Sequence, residues 1–167
     1  MLRGLPPVID QRARILILGL FPSTASLAAQ QYYAHPQNLF WRIVGEVVGQ
    51  SLHEMSYGAR CEAVKGAGIA IWDVFASCSR EGSLDSAIRD AVPNDFSVLQ
   101  KSAVVERRCG DFPVLSRVCF NGQKAAKHIK EFDAAGVDVV VLPSTSPANA
   151  GMCFGEKLAL WRNALCG

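Results

Sequence analysis

The residues with the clearest capacity for chemistry lie in one segment, Ile15 to Trp41, whose sequence is ILILGLFPSTASLAAQQYYAHPQNLFW. An apolar run ends at Gly19 and a turn follows; farther on, residues 32–41 hold two tyrosines, a histidine, two amides and a tryptophan. The ring of Tyr33 offers a face that can stack on a planar ligand. The side-chain carbonyl of Asn38 can accept a hydrogen bond from water. The segment indicates a pocket for a flat ring and a positioned water, although an isolated H-P-x-N would favour only a helix cap at Asn38.

Three further polar clusters each follow an apolar run. Trp72–Phe75 contains a carboxylate, Asp73, and Asn121–Gly122 contains an amide. Both side chains can hydrogen-bond a ring edge, but Asp73 could equally cap a helix or loop and Asn121 could serve an Asn-Gly turn. Pro143–Asn149 combines three hydroxyls with two prolines. Such a loop suits phosphate contacts, and it is also consistent with a stiff connection to the last helix.

Short apolar runs predict the strands that position these clusters. Each run is nearly continuous rather than alternating, which is typical of strands buried on both faces of a mostly parallel sheet. The runs are Ile15–Leu18, Ile69–Val74, Val114–Phe120 and Val137–Leu142.

Helical stretches separate the predicted strands, at Asn38–Gly49, Ser83–Ala91, Gln123–Ala135 and Gly155–Leu165. This alternation predicts an α/β fold, a doubly wound sandwich around one sheet. Ligands of such sheets bind outside the carboxyl ends of the strands. Gly19–Ser23 and the three clusters above all lie at those ends, so we expect them to form one site.

Composition places the chain among ordinary globular domains. It has 167 residues, half of them hydrophobic, and a net charge of +2, which neither indicates nor excludes a nucleic-acid partner. We expect one domain, with residues 1–13 as an N-terminal extension. No apolar run approaches the ~20 residues of a membrane span. The N-terminus lacks the pattern of a signal peptide, so we expect a cytoplasmic protein. Six cysteines show no C-x-x-C pair or metal spacing and are expected to be reduced, mostly buried thiols.

Five motifs in a fixed order resemble the uracil-DNA glycosylase superfamily: G-x-x-P-S, Y-Y-A-H-P-x-N-x-F-W, W-D-V, F-N-G and L-P-S-T-S-P-A-N. Within it, the chain is most similar to the hypoxanthine-DNA (deoxyinosine) glycosylase branch, often called family 6. The resemblance implies a three-layer α/β/α sandwich with a mostly parallel four-stranded central sheet. It also implies an enzyme that flips a deaminated base, chiefly hypoxanthine, out of DNA and hydrolyses its N-glycosidic bond, leaving an abasic site.

The resemblance assigns roles to individual residues. In the hypoxanthine branch the catalytic amide is the Asn of H-P-x-N, here Asn38, which can orient a water but cannot act as a Brønsted base. The base-binding residues are expected to be Tyr33, Phe21, Asp73 and Asn121. Phe21 stands where the mismatch-specific uracil branch has its water-positioning asparagine, and residues 19–26 hold no carboxylate like that of the classical uracil enzymes. Excision of uracil by those routes is therefore not expected.

Asn121 is a candidate for discriminating between bases. Its amide could donate to O6 and accept from N1–H of hypoxanthine, whereas adenine presents the reverse polarity. An amide held in one orientation would reject adenine, and one free to flip would not; the sequence leaves both open. Asp73 could accept from N1–H or could hold other groups of the pocket.

The expected DNA contacts are Ser23, Ser144, Thr145, Ser146, Asn149 and Lys124. The fourth loop offers only Ala148 where the uracil branch carries a large apolar wedge, so strong wedging is not expected. Lys124, Lys127 and Lys130 recur at a spacing of three, near one helix face. A solvated polar surface is the alternative for most of these charges, as it is for the pair Arg107–Arg108.

The four clusters contain no lysine that could form a Schiff base, so we expect a monofunctional glycosylase without lyase activity. No metal or organic cofactor is implied. The expected partner is damaged DNA, with no membrane and a monomeric chain.

Three alternatives remain open. One is a glycosylase of the same fold for uracil or mixed deaminated bases, including G:U and G:T mismatches. Another is a serine hydrolase using Ser23 or Ser144 with His35, which the absence of G-x-S-x-G disfavours. The third is a nucleic-acid-binding module without catalysis, whose binding would be salt-sensitive.

Overall fold

The computed structural model describes residues 1–96, 99, 115–130 and 137–167. Within these residues the strands are β1 (Leu2–Arg3), β2 (Ile15–Gly19), β3 (Ile69–Asp73), β4 (Phe75–Ser79), β5 (Arg89–Pro93), β6 (Arg117–Asn121) and β7 (Asp138–Leu142). The helices are α1 (Thr24–Ala29), α2 (Phe40–Val48), α3 (Tyr57–Gly66), α4 (Gln123–Ala126) and α5 (Phe154–Cys166). Short 3-10 turns lie at Leu52–Glu54 and Asp85–Ala87.

A parallel sheet of four strands, in the order β3-β2-β6-β7, forms the centre of the fold. Leu16, Ile17 and Leu18 of β2 are fully buried, and all five residues of β3 are buried. Continuous apolar strands bury both faces of such a sheet, which is why the sequence pattern found them. The predicted α/β fold is confirmed, with strand ends within a few residues of prediction; Val114 lies outside the described residues.

Helices cover this sheet and complete the core. α2 packs against α5, α3 against β3, and α4 against β6. The ring of Phe40 in α2 meets that of Trp161 in α5 edge to face, with centroids 5.9 Å apart. α2 starts two residues later than predicted, because Asn38 belongs to the preceding loop. The predicted helix Gln123–Ala135 begins as expected with α4, but residues 131–135 lie outside the described part. No helix among the described residues is long and apolar enough to cross a membrane.

The predicted helix Ser83–Ala91 is wrong. Those residues form a 3-10 turn followed by β5, which pairs antiparallel with β4 in a second sheet of order β1-β4-β5. The Ser83 hydroxyl does not cap its own segment; it accepts from the Thr24 N–H and donates to the Thr24 hydroxyl, both at 2.9 Å. A long-range partner and a neighbouring strand therefore override the local signal.

Candidate active site

The carboxyl ends of three parallel strands bring polar groups together around Gly19. Gly19 is in register with Asp73 on the neighbouring strand β3, and β6 ends at Asn121 on the other side of β2. A Cβ on Gly19 would stand 2.5 Å from Asp73 Oδ1 and 3.1 Å from the Tyr33 hydroxyl. Glycine is needed here because any side chain would displace one or both of those groups. Asp73, Asn121 and the Tyr33 hydroxyl thus lie close together around Gly19.

Asn121 is held by three hydrogen bonds. Its Nδ2 donates to Thr145 Oγ1 at 3.0 Å and to the Tyr33 hydroxyl at 3.3 Å, and its Oδ1 accepts from the Thr145 backbone N–H at 3.0 Å. Because a backbone N–H can only donate, the amide has one orientation. Of the two alternatives that the sequence left open, the structure has the fixed amide. Both Nδ2 hydrogens have protein acceptors, so the expected donation to a base O6 would require one of them to be given up.

Thr145 does not fit the DNA contact expected of it. The residue is fully buried, and its hydroxyl and its N–H both bond to Asn121. Its position in a hydroxyl-rich loop suggested exposure, but the loop turns this one side chain inward. Thr145 is instead a support for the Asn121 amide.

The rest of the fourth loop is tied to itself. The Ser144 and Ser146 hydroxyls accept from the backbone N–H groups of Ser146 and Ala148, each at 3.2 Å, and Asn149 Nδ2 donates to the Ser144 carbonyl at 3.1 Å. Ser144, Ser146 and Asn149 are half-buried, while Pro147 and Ala148 form an exposed crest. Contacts of the three half-buried residues to DNA stay a prediction.

Asn38 lies half-buried in the loop that precedes α2. Its Oδ1 accepts from the Phe40 N–H at 3.0 Å at the start of α2, where Leu39 is the N-cap residue. The carbonyl oxygen has a second lone pair that can accept from water, and the catalytic role of Asn38 stays a prediction. The next residue, Leu39, donates its N–H to the Thr145 carbonyl at 3.1 Å. This bond ties the loop that carries Asn38 to the loop that carries Thr145.

Tyr33 has a strained, left-handed backbone with φ of 54°. One face of its ring is stacked on Phe40, with centroids 3.9 Å apart and the planes 16° from parallel. Only the opposite face or the edge can therefore meet a ligand. Burial, followed by the nearby charge of Asp73, raises the pKa of the Tyr33 hydroxyl, which stays protonated at neutral pH.

Asp73 is the least satisfied polar group of this edge. It is only 4 % exposed, and its Oδ2 has no hydrogen-bond partner among the described residues. Burial raises the pKa of the carboxyl to about 7; the charge of Asp85 also raises it, and that of Arg80 lowers it. Burial therefore favours the neutral form of Asp73 far more than in an exposed aspartate.

Phe21 and Ser23 have structural contacts of their own. Phe21 is buried, and the Arg80 guanidinium lies over its ring at 5.2 Å, on the side of the second sheet. The Ser23 hydroxyl accepts from the Ser26 N–H at 3.1 Å and caps α1. Base binding by Phe21 and DNA binding by Ser23 stay predictions. The contacts described here do not support either role.

Lys124 and His35 are both exposed. Lys124, at the start of α4, is near enough to Asp85 to oppose the effect of burial on the pKa of that carboxyl. His35 Nδ1 accepts from the Gln37 N–H at 3.1 Å, and no hydrogen bond among the described residues joins it to Ser23 or Ser144. Among the described residues His35 is therefore not paired with either serine of the hydrolase alternative.

Arg80 is a component of this region that sequence reasoning missed. Its Nη2 donates to the Pro22 carbonyl at 2.6 Å and its Nε to the Gly82 carbonyl at 2.8 Å, so it holds the loop after β2. Its Nη1 is buried and has no hydrogen-bond partner among the described residues. No periodicity marks such a residue, because its partners are distant in sequence.

Metal ligation has no evident site in the described ranges: no group of three or more His, Cys, Asp or Glu is placed to hold an ion there.

The molecule is an α/β protein with polar groups at the carboxyl ends of its parallel strands, an arrangement found in many enzymes. Comparison with known families identifies the family to which the chain belongs. Residues 6–164 match the profile of the Uracil DNA glycosylase superfamily. The chain belongs to this superfamily, as its motifs predicted.

Individual relatives extend the comparison. A Methanosarcina acetivorans protein named "Hypoxanthine DNA glycosylase" is 44% identical over 147 residues, which are 88% of this chain and 87% of the relative. A Methanosarcina barkeri protein of the same name is 41% identical over the same shares. A solution NMR structure from Methanosarcina acetivorans, described as a candidate uracil DNA glycosylase, has a TM-score of 0.84 and 40% identity, covering 98% of this chain and 95% of that one.

Proposed function

We propose that this protein is a monofunctional DNA glycosylase that removes hypoxanthine from DNA by hydrolysis. The observation that carries the proposal is the meeting of Tyr33, Asp73 and Asn121 at one sheet edge, with the loop that carries Asn38 bonded through the Leu39 N–H to Thr145, in a chain of the superfamily. Its relatives named for hypoxanthine support the choice of base. Such an enzyme would act in the cytoplasm, on the DNA of the nucleoid.

The reaction needs the damaged nucleotide outside the duplex, because C1′ of a stacked base is shielded. In the site, Asn38 Oδ1 keeps the lone pair that the Phe40 N–H does not use. That lone pair accepts a hydrogen bond from the water that attacks C1′. Breaking the N-glycosidic bond builds positive charge on the sugar and negative charge on the base. Positioned polar groups at such a site lower the barrier by a few kcal/mol.

Recognition of hypoxanthine uses its N1–H. Asn121 Oδ1 is fixed by its bond from the Thr145 N–H and has a second lone pair for that hydrogen. Adenine has no hydrogen on N1, so this bond would be lost and two lone pairs would face each other. One face of Tyr33 is covered by Phe40, so stacking on the purine would use the opposite face.

A panel of duplexes tests the proposal directly. Duplexes with hypoxanthine, uracil, xanthine or thymine are incubated with the protein, and abasic sites are then cleaved with alkali. We expect cleavage chiefly at hypoxanthine. Strong cleavage at uracil with none at hypoxanthine would instead favour a uracil glycosylase, the alternative that the description of the similar NMR structure supports. If no duplex gives an abasic product, the remaining alternative is a nucleic-acid-binding module without catalytic activity.

Asn38 is tested by two substitutions. Asn38→Ala should lower the single-turnover rate by on the order of 10²–10³-fold. It also removes the acceptor of the Phe40 N–H, so Asn38→Ser is the companion variant, because serine can keep a similar local turn. Both should be nearly inactive and still bind the duplex. Gln37→Ala, at the exposed neighbouring amide, is the matched control and should keep the rate. An active Asn38→Ala would remove Asn38 from the mechanism.

A further inference from the structure

The polar side chains at the carboxyl edge of the sheet differ in how many of their hydrogen-bonding atoms have protein partners. Asn121 has both amide hydrogens and one carbonyl lone pair bonded, and Thr145 is bonded through its hydroxyl and its N–H. Asp73 Oδ2 is buried and has no partner in the part of the chain that the structure describes. Buried polar atoms almost always have partners, so an exception at a candidate site indicates a ligand contact.

The position of Asp73 specifies which part of a purine it can reach. Asp73 and Asn121 end the strands on either side of β2, so they flank Gly19, and the Tyr33 hydroxyl lies beside Gly19 and bonds to Asn121. Strands in a sheet are about 4.8 Å apart, and two spacings separate these ends. N1 and N7 of hypoxanthine lie on opposite sides of O6. With N1–H on Asn121 Oδ1, the N7 side of the base points toward Asp73.

We propose that Asp73, in its neutral form, is the acid that protonates N7 of the departing hypoxanthine. This inference rests on the proposed function. It assigns Asp73 a chemical step in addition to a binding contact. Protonation of N7 lets a purine leave as a neutral base, and uracil has no N7 at which this could happen.

The step balances as follows. The C1′–N9 bond breaks and its electron pair goes to the imidazole ring, while the Asp73 proton moves to N7. The water oxygen held by Asn38 forms the new bond to C1′ and releases a proton to solvent. The products are neutral hypoxanthine, the abasic sugar and an Asp73 carboxylate, which takes up a proton from solvent before the next turnover.

The surroundings of Asp73 keep it in the form that this step needs. Burial is the main cause that raises its pKa to about 7. Asp85, in the 3-10 turn, raises the pKa further, and Arg80, after β4, lowers it. The other titratable groups that feel the Asp73 charge are the hydroxyls of Tyr32 and Tyr33, whose own pKa values it raises. A general acid works best with a pKa near the operating pH.

The sign of the pH dependence distinguishes an acid from a simple acceptor. If neutral Asp73 is the acid, the single-turnover rate is highest below pH 7 and falls about tenfold per pH unit above it. If ionised Asp73 only accepts from N1–H, the rate rises over the same range. The measurement uses the full-length protein and a hypoxanthine duplex from pH 5 to pH 9, with folding followed at each pH.

Two variants test whether Asp73 is the group that titrates. Asp73→Asn keeps the size and a hydrogen-bond donor but cannot transfer a proton. We expect its rate to be 10²-fold lower or more and flat with pH. Asp85→Asn removes the neighbouring charge that raises the Asp73 pKa, so the midpoint of the profile should move to lower pH.

Each outcome has a distinct meaning. A rate that rises with pH, an Asp73→Asn variant as fast as the native protein, or a midpoint that Asp85→Asn leaves in place would overturn the acid role while hypoxanthine excision itself stands. A folded native protein that releases no hypoxanthine at any pH would overturn the proposed function, and the acid role with it. A falling profile that both variants change as described supports the assignment.

Discussion

Asn121 and Asp73 occupy equivalent places on opposite sides of β2, yet their energetics are opposite. Asn121 is bonded on both its amide nitrogen and its carbonyl, and it holds the fourth loop to Tyr33. Asp73 is buried with an unpaired oxygen and a pKa raised to about 7. The first arrangement stabilises the fold, and the second destabilises it whenever the carboxyl is ionised. One edge of a sheet can therefore combine a rigid support with a reactive group.

The broadest effect should come from Gly19→Ala, which disturbs both sides at once and lowers activity and stability together. The new Cβ would stand 2.5 Å from Asp73 Oδ1 and 3.1 Å from the Tyr33 hydroxyl. We expect loss of excision on the order of 10²-fold, because small displacements of positioned groups are costly. The free energy of unfolding should fall by about 1–3 kcal/mol. Single-turnover kinetics and chemical denaturation measure the two effects.

Gly151→Ala is the matched control for that substitution. A Cβ at Gly151 meets no atom within 4 Å, so neither excision nor stability should change appreciably. If Gly19→Ala behaved like Gly151→Ala, the crowded edge would not be where the reaction takes place.

Next in size is the effect of Asp73→Asn on stability, which isolates the Asp73 side of the comparison. The carboxyl has its pKa raised from 3.8 to about 7 in the folded chain, so the folded state binds more protons than the unfolded state between those values. Stability is therefore lost as pH rises through this window, by at most about 4 kcal/mol. Asparagine removes this loss. Asp73→Asn should raise the free energy of unfolding at pH 8 by about 2–4 kcal/mol and change it little at pH 4, as measured by denaturant titration.

That gain in stability should accompany the loss of excision predicted above. A variant that is both more stable and less active would identify Asp73 as a residue kept for function. Equal stability of the two proteins at pH 8 would mean that the ionised carboxyl has a compensating partner.

Thr145→Val isolates the Asn121 side. Valine preserves the shape of threonine but leaves one buried Asn121 hydrogen without its acceptor, at a cost of about 1–2 kcal/mol. The amide keeps its bond from the Thr145 N–H, so excision should fall less than in Asp73→Asn. Ser146→Ala is the control, because that hydroxyl accepts one bond in a half-exposed loop. A Thr145→Val protein as stable as this control would contradict the supporting role.

The smallest effect concerns the surface beside Asp85. Lys124→Ala should weaken DNA binding and reduce the dependence of log K on log salt by about 0.9 for one lost phosphate contact. Lys65→Ala is the control, since Lys65 pairs with Glu62 at 2.6 Å on α3. Fluorescence anisotropy over a salt series makes the measurement, and identical slopes for the two variants would exclude a phosphate contact at Lys124.

The sequence predicts the parts of this molecule that depend on continuous apolar runs. The bounds of β2 and β3 are predicted to within a residue, because buried strands consist of continuous apolar residues. Parallel strands place their carboxyl ends at one edge of the sheet, so the sequence also predicts that Asp73 and Asn121 lie near each other. What escapes prediction depends on long-range partners. Ser83 bonds to Thr24 instead of capping a helix, and Thr145 turns inward to meet Asn121. Pairings between residues so far apart in the chain leave no periodic signal.

The fourth loop has consequences for how this chain could diversify. Its stem is tied at Thr145, and its far end at Asn149, which bonds to the Ser144 carbonyl and accepts from the buried Lys157 at 2.6 Å. Between these anchors Pro147 and Ala148 carry the exposed side chains. We expect a mutation at this crest to leave the hydrogen bonds of Thr145 and Asn121 undisturbed. A larger apolar side chain at the exposed Ala148 should therefore be tolerated, both in evolution and in protein engineering.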